Sequence, residues 1–285
     1  HVASREALIA QGENGPRVEA PSASSDATKR IDAAKSLFEK GHLRASLELL
    51  EVLESEAGKL SQTEVFRVFT NLGCCHYLLD HSDRAAEYFA KAFQINPQSP
   101  KALSNMALSK LLLQEWAEAE QYARNALAQD SKHPQAMAFL IRSLAEQGND
   151  RGIADLLKEH SWAADDPNTC LYLGEQELTK RRFHEAELHY RKTLIPGSGV
   201  LGGYRGLSQA LLGQVEIILQ TDPNALVRKD ANVMGLLADA ELAASTDIHE
   251  RQKIDARPGL ADAFALRATL LRLMGKYDLA ILDCD

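Results

Sequence analysis

From Ala27 onward, apolar residues recur at the three-and-four spacing of amphipathic helices almost without a break. Before it, residues 10–26 (AQGENGPRVEAPSASSD) are rich in Gly, Pro, Ser and Ala and show no apolar period. Residues 1–26 therefore read as a tail or linker, and 27–285 as one helical array. The array repeats. Residues 70–97 (TNLGCCHYLLDHSDRAAEYFAKAFQINP) align with 104–131 (SNMALSKLLLQEWAEAEQYARNALAQDS), which pairs Gly73 with Ala107, Ala85 with Ala119, Phe89 with Ala123 and Ala92 with Ala126, each 34 positions apart. The register continues at Ile141, Gly174 and Gly206, and Ala268 lies 62 positions further on. Such a period marks stacked supersecondary units, here about eight. They fall near 28–60, 66–99, 100–133, 134–166, 167–198, 199–226, 231–258 and 261–285, the last one incomplete.

Each unit has one physical plan. A first helix ends at a Gly or polar break (Gly41, Asp80, Gln114, Gly148, Gly213, Gly275), and a large apolar residue often follows two positions later (Leu43, Trp116, Phe183, Tyr277). A second helix carries Ala where it comes closest to the first (Ala85, Ala119, Ala186, Ala280). Pro97, Pro223 and Pro258 close units, because proline ends one helix and fits the first turn of the next.

The Leu-Gly pairs at Leu72–Gly73 and Leu173–Gly174, with FHEAELHYRKTL (183–194) and GKYDLAILDCD at 275–285, resemble the tetratricopeptide repeat. The resemblance covers about nine-tenths of the chain. It implies an all-α fold: a right-handed solenoid of about eight antiparallel helix pairs whose first helices line a concave groove, each pair stabilised by its neighbours.

Some stretches depart from the pattern. The unit spanning 137–160 has Ile153 where the second-helix alanine is expected. Between Gly206 and Pro223 the unit is about seven residues short, since QALLGQ runs straight into VEIILQTDP, and a smaller deficit falls near Ile248 and His249. The expectation is that loop residues are absent at these points. HVASREALIAQGENG has neither the basic nor the long apolar region of a signal peptide, and it lacks an initiator Met. With the stop at Asp285 in mid-helix, this leads one to expect a piece of a longer chain.

Composition narrows the function. With 32 basic against 40 acidic residues the net charge is −8, which leaves no basic excess to displace phosphate counterions; nucleic acid is not an expected partner. No run is long enough to span a membrane, so direct membrane insertion is not expected either. Cys74, Cys75, Cys170 and Cys284 are too few and too irregular for a disulfide framework and read as small core residues in a reducing compartment, which favours the cytoplasm.

Candidate chemistry is sparse. PGSGVLGG places Gly197, Gly199 and Gly202 in a G-x-G-x-x-G spacing, but a helix precedes it where a dinucleotide site needs a strand. His184 and His189 are five apart, about 140° around a helix, and cannot share a metal. Cys74, Cys75 and His76 lack the spacing of a zinc site. Asp165 and Asp166 before Pro167 read as helix caps. No enzyme, metal or cofactor is expected.

The resemblance supplies a binding surface instead. It implies that the residue before each Leu-Gly pair faces the groove, where an Asn can hold a bound peptide's main chain. Asn71 and Asn105 occupy that place in consecutive units, and Arg67 and Lys101 sit four residues earlier in each, about one turn away. Phe139, Arg142 and Tyr172 continue the row downstream and make it more apolar. This set suits an extended acidic or C-terminal peptide. The family's carboxylate clamp is not matched, because Thr70 and Cys74 fill its first-helix positions. The expected function is a scaffold that binds a partner protein or extended peptide in the groove. The alternatives are a sensor or regulatory arm joined to further domains of the same polypeptide, and an assembly factor for secretion, pili or exopolysaccharide export.

Overall fold

The computed structural model describes residues 26–195, 200, 202–253 and 259–284. The predicted tail therefore falls, but for Asp26, outside the described residues, as do Gly197, Gly199 and Pro258. Among the described residues every regular element is helical. The chain divides into two compact units, which meet between Glu159 and His160 in the sequence.

The N-terminal unit holds four antiparallel pairs: α1 (Asp26–Glu39) with α2 (Leu43–Ser55), α3 (Gln62–Leu78) with α4 (Ser82–Ile95), α5 (Pro100–Leu112) with α6 (Trp116–Gln129), and α7 (Pro134–Glu146) with α8 (Asp150–Glu159). The C-terminal unit holds three: α9 (Pro167–Thr179) with α10 (Phe183–Thr193), α11 (Gly203–Thr221) with α12 (Ala231–Lys253), and α13 (Leu260–Leu273) with α14 (Tyr277–Leu282).

Local chemistry starts these helices. Ser61 caps α3 in a reciprocal box: its hydroxyl accepts from the Glu64 N–H at 3.3 Å, and the Glu64 carboxylate accepts from the Ser61 N–H at 2.9 Å. Ser99, His133 and Asp166 each accept a bond from the third helical N–H, and Pro100, Pro134 and Pro167 follow them at the first helical position. The expected cap is thus Asp166, while Asp165 pairs with Lys192 at 2.7 Å.

The first helices end in a repeated turn. Gly41, Asp80, Gln114, Gly148, Arg181 and Gly275 all have positive φ. At each, the next residue's N–H reaches back five residues, as from Glu115 to the Lys110 carbonyl at 2.9 Å. Five of the six predicted breaks are therefore such turns. Gly213 is not; it lies inside α11.

At Gly213 a Cβ would stand 2.4 Å from the Phe183 ring, so this glycine admits an aromatic side chain from α10 and leaves the helix unbroken. The segments 199–226 and 231–258, predicted as two helix pairs, correspondingly contribute one long helix each, of 19 and 23 residues. With no left-handed residue near 213 or 248 the helical bonds simply run on, and the described helices make seven pairs where about eight are predicted.

Of the four alanines predicted where paired helices come closest, Ala85, Ala119 and Ala186 have no exposed surface, whereas Ala280 on the short α14 is only half-buried. Gly73 faces Phe89 and Gly174 faces Tyr190, each ring 16 residues after its glycine, whereas Ala107 and Ala123, both buried, hold the same two register positions in the unit of α5 and α6. The ring thus fits because the residue opposite it has no side chain, and where an alanine replaces the ring an alanine can stand opposite. Ile153 takes the alanine's place in α8 and is buried.

Candidate functional site

The predicted row lies on the first helices α3, α5 and α7 of the N-terminal unit, with its last member, Tyr172, on α9 of the C-terminal unit. Both α3 and α5 pack against α4, which sets their side chains one repeat apart. Burial divides the row. Arg67, Asn71, Lys101 and Arg142 are half-buried, whereas Asn105, Phe139 and Tyr172 are buried. The predicted apolar surface at Phe139 and Tyr172 is accordingly packed interior. The physical cause is visible in α5 and α7, which carry apolar or small residues on every face and are enclosed all round (Ala102, Leu103, Met106, Ala107, Leu108 and Leu111 on α5).

Electrostatics divides it again. Arg67 is bonded to Asp32 of α1, and Arg142 pairs with Glu146 one turn along its own helix at 2.7 Å. The Lys101 ammonium acts on the Cys74 thiol and on His133. Burial pushes the Cys74 thiol up to about 11 in spite of that neighbouring cation. Cys75, which donates to the Ser46 hydroxyl at 3.6 Å, is pushed by burial to about 12, and so is Cys170, which donates to the Ala164 carbonyl. At neutral pH these thiols stay protonated and unreactive.

Asn105 stands apart. Its side chain is fully enclosed, and neither its amide nitrogen nor its amide oxygen has a hydrogen-bond partner. The hydroxyls of Thr70 and Ser104, which share one register position in consecutive units, are also buried without a partner. Each such group forgoes about 1–3 kcal/mol of solvation that a bound polar group would return. Asn105 is marked in the sequence by its place just before the Leu-Gly slot, filled here by Met106–Ala107. Thr70 appears there only as a residue that fails the clamp, and Ser104 carries no signal.

Other predicted patterns resolve structurally. Gly202 sits at φ 90° at the start of α11, and a Cβ on Gly203 would overlap the Thr193 hydroxyl, so this glycine segment lets α11 approach α10. His184 is exposed beside Glu187, and His189 is half-buried. No group of three metal-ligating side chains occurs among the described residues. None of the helices described is long and apolar enough to cross a membrane.

No protein-family profile and no curated protein sequence matches the chain. Solved structures do. The chain is similar to human IFIT1, solved as a monomeric mutant with Gppp-AAAA, at TM-score 0.59 and 14% identity over 88% of this chain and 57% of that one. It is similar to PilW, a type IV pilus biogenesis factor, at TM-score 0.52 and 18% identity over 79% and 93% of the two chains. A third is the Cut9–Hcn1 heterotetramer of the APC/C, at TM-score 0.55 and 17% identity over 89% and 44%. The chain thus spans a little over half the length of IFIT1. These neighbours are tetratricopeptide-repeat structures, and the fold of this chain is the tetratricopeptide-repeat solenoid.

Proposed function

We propose that this chain is a protein-interaction scaffold, and that its N-terminal unit takes an extended peptide segment along the first helices α3 and α5. The observation that carries the reading is Asn105: a carboxamide enclosed on a packed helix, with both its donor and its acceptor unused. A peptide main chain offers the matching N–H and C=O pair. Asn71, at the same register position on α3, is half-buried and gives the ligand its first foothold. Lys101 supplies positive charge beside it, which favours an acidic side chain or a terminal carboxylate on the ligand. Because Asn105 is enclosed, binding requires α5 to give locally, and the unsatisfied amide lowers the cost of that movement.

The likeness to IFIT1 and PilW is one of fold, so neither capped RNA nor a pilus component is carried over to this chain. Selection from a random peptide library against the full chain tests the proposal. Peptides should be enriched, and the Asn71→Ala/Asn105→Ala variant should bind them at least tenfold more weakly with unchanged helical content. Equal binding by the variant would remove the asparagine pair from the site.

A further inference from the structure

We propose that His76 and His81 form an acid-sensitive latch between α3 and α4, closed while the two rings share one N–H and opened when the pair takes up a further proton. His76 lies near the C-terminal end of α3 and is buried, with 1% of its surface exposed. His81 lies exposed at the start of α4. Their Nδ1 atoms are 3.2 Å apart, so one of them carries the proton and donates to the other.

Burial decides which. The His76 Nε2 is enclosed and has no partner. Were His76 to accept at Nδ1, its proton would sit on Nε2 as a buried N–H with nothing to receive it. With the proton on Nδ1 instead, His76 donates to His81, whose own N–H is then on the exposed ring's Nε2. The structure therefore assigns His76 the Nδ1–H form.

This arrangement has no inexpensive place for another proton. Protonating His76 puts charge and an unpaired N–H on the buried Nε2. Protonating His81 at Nδ1 either breaks the 3.2 Å bond or drives the His76 proton onto that same Nε2. The groups around the pair do not rescue it. On α4, Arg84 and Lys91 are cations and Glu87 is an anion, and Lys91 is itself bonded to Glu87 at 2.8 Å. On α2, Glu54 accepts from the Tyr88 hydroxyl at 2.7 Å and also meets Lys91, while Glu51 lies near Tyr88. The Tyr88 ring stacks on the His76 ring at 5.3 Å and 5°, and Lys91 covers Tyr88 at 4.6 Å. Desolvation, with His81 and Arg84 adding to it, holds His76 below its ordinary value against the pull of Glu54 and Glu87. An imidazolium at His76 would have to turn its enclosed Nε2–H out to water, and in doing so it would part from Tyr88 and loosen α3 from α4.

Two measurements on the full chain test the latch. Long-range proton–nitrogen NMR of the wild-type chain at pH 7.5 should show His76 with a protonated Nδ1 and a bare Nε2; a protonated Nε2 would overturn the assignment and with it the latch. Thermal unfolding at pH 7.5 and 5.5 should show wild type losing about 3 °C more on acidification than His76→Phe, which keeps the stack but does not titrate. Equal losses would overturn the proposal. The NMR experiment needs no variant, so a misfolded His76→Phe leaves the test intact.

Discussion

The Tyr190 ring of α10 lies so close to Gly206 of α11 that a Cβ on that glycine would stand 2.2 Å from it. The same ring covers Gly174 of α9, so one tyrosine fills the space between two first helices that can approach only because both lack side chains there. Gly206→Ala should overpack this joint and cost about 1–3 kcal/mol in urea unfolding. Gly235→Ala, on the exposed face of α12 with nothing within 4 Å, should instead gain about 1 kcal/mol. Equal effects at the two positions would contradict the packing described.

The left-handed turns are a separate source of strain. Gln114 has φ 60° at the place where Gly41, Gly148 and Gly275 serve in other units. A side chain there costs energy that glycine avoids, so Gln114→Gly should raise stability by about 0.5–1 kcal/mol, less the greater freedom of an unfolded glycine. A loss of stability in the same unfolding experiment would show that the Gln114 side chain contributes contacts that outweigh the strain.

These features mark what the sequence reveals. Period, helix breaks and Pro-led helix starts mark the turns after α1, α3, α5, α7 and α13, whereas the turn at Arg181 between α9 and α10 carries neither a glycine nor a predicted break. Gly213 misleads because a glycine that ends a helix and one that admits Phe183 look alike in a chain of letters; only the neighbouring ring distinguishes them. The binding row is half legible for a similar reason. Register puts Asn71 and Asn105 in line, but whether each is open or enclosed depends on the residues packed around α5. His76 and His81 carry no motif at all, since their pairing is made by the turn at Asp80.

Within α12, Arg251 and Asp247 form an ion pair at 2.7 Å with both side chains 2% exposed. Its net contribution is small, because desolvation offsets attraction, but removing Arg251 leaves the Asp247 carboxylate charged and enclosed. Arg251→Met should therefore cost about 3–5 kcal/mol, read from the shift in urea midpoint. A cost below 1 kcal/mol would mean that Asp247 finds another donor or water.

Acid should weaken the fold through half-buried histidines. Burial holds His133 and His189 below their ordinary 6.5, with Asp130 opposing this at His133 and Lys192 reinforcing it at His189. The folded state then binds fewer protons than the unfolded one, so stability is at its full value above about pH 6.5 and falls as pH drops through the lowered folded values. His133 adds a mechanism, since its Nδ1 accepts the Ala136 N–H that caps α7, and protonation there removes the acceptor. His133→Asn keeps a capping oxygen that does not titrate and should lessen the acid loss in melting temperature between pH 7.5 and 5.5. An unchanged loss would place the sensitivity elsewhere.

Peptide capture depends above all on Asn71 and Asn105 acting together as a main-chain receptor. The direct measurement is to follow their side-chain amide NMR signals while a library-selected peptide is added to the full chain. Both signals should move along one saturating curve, because one ligand satisfies both. A peptide that binds while both signals stay fixed would show that the chain's binding surface lies away from α3 and α5.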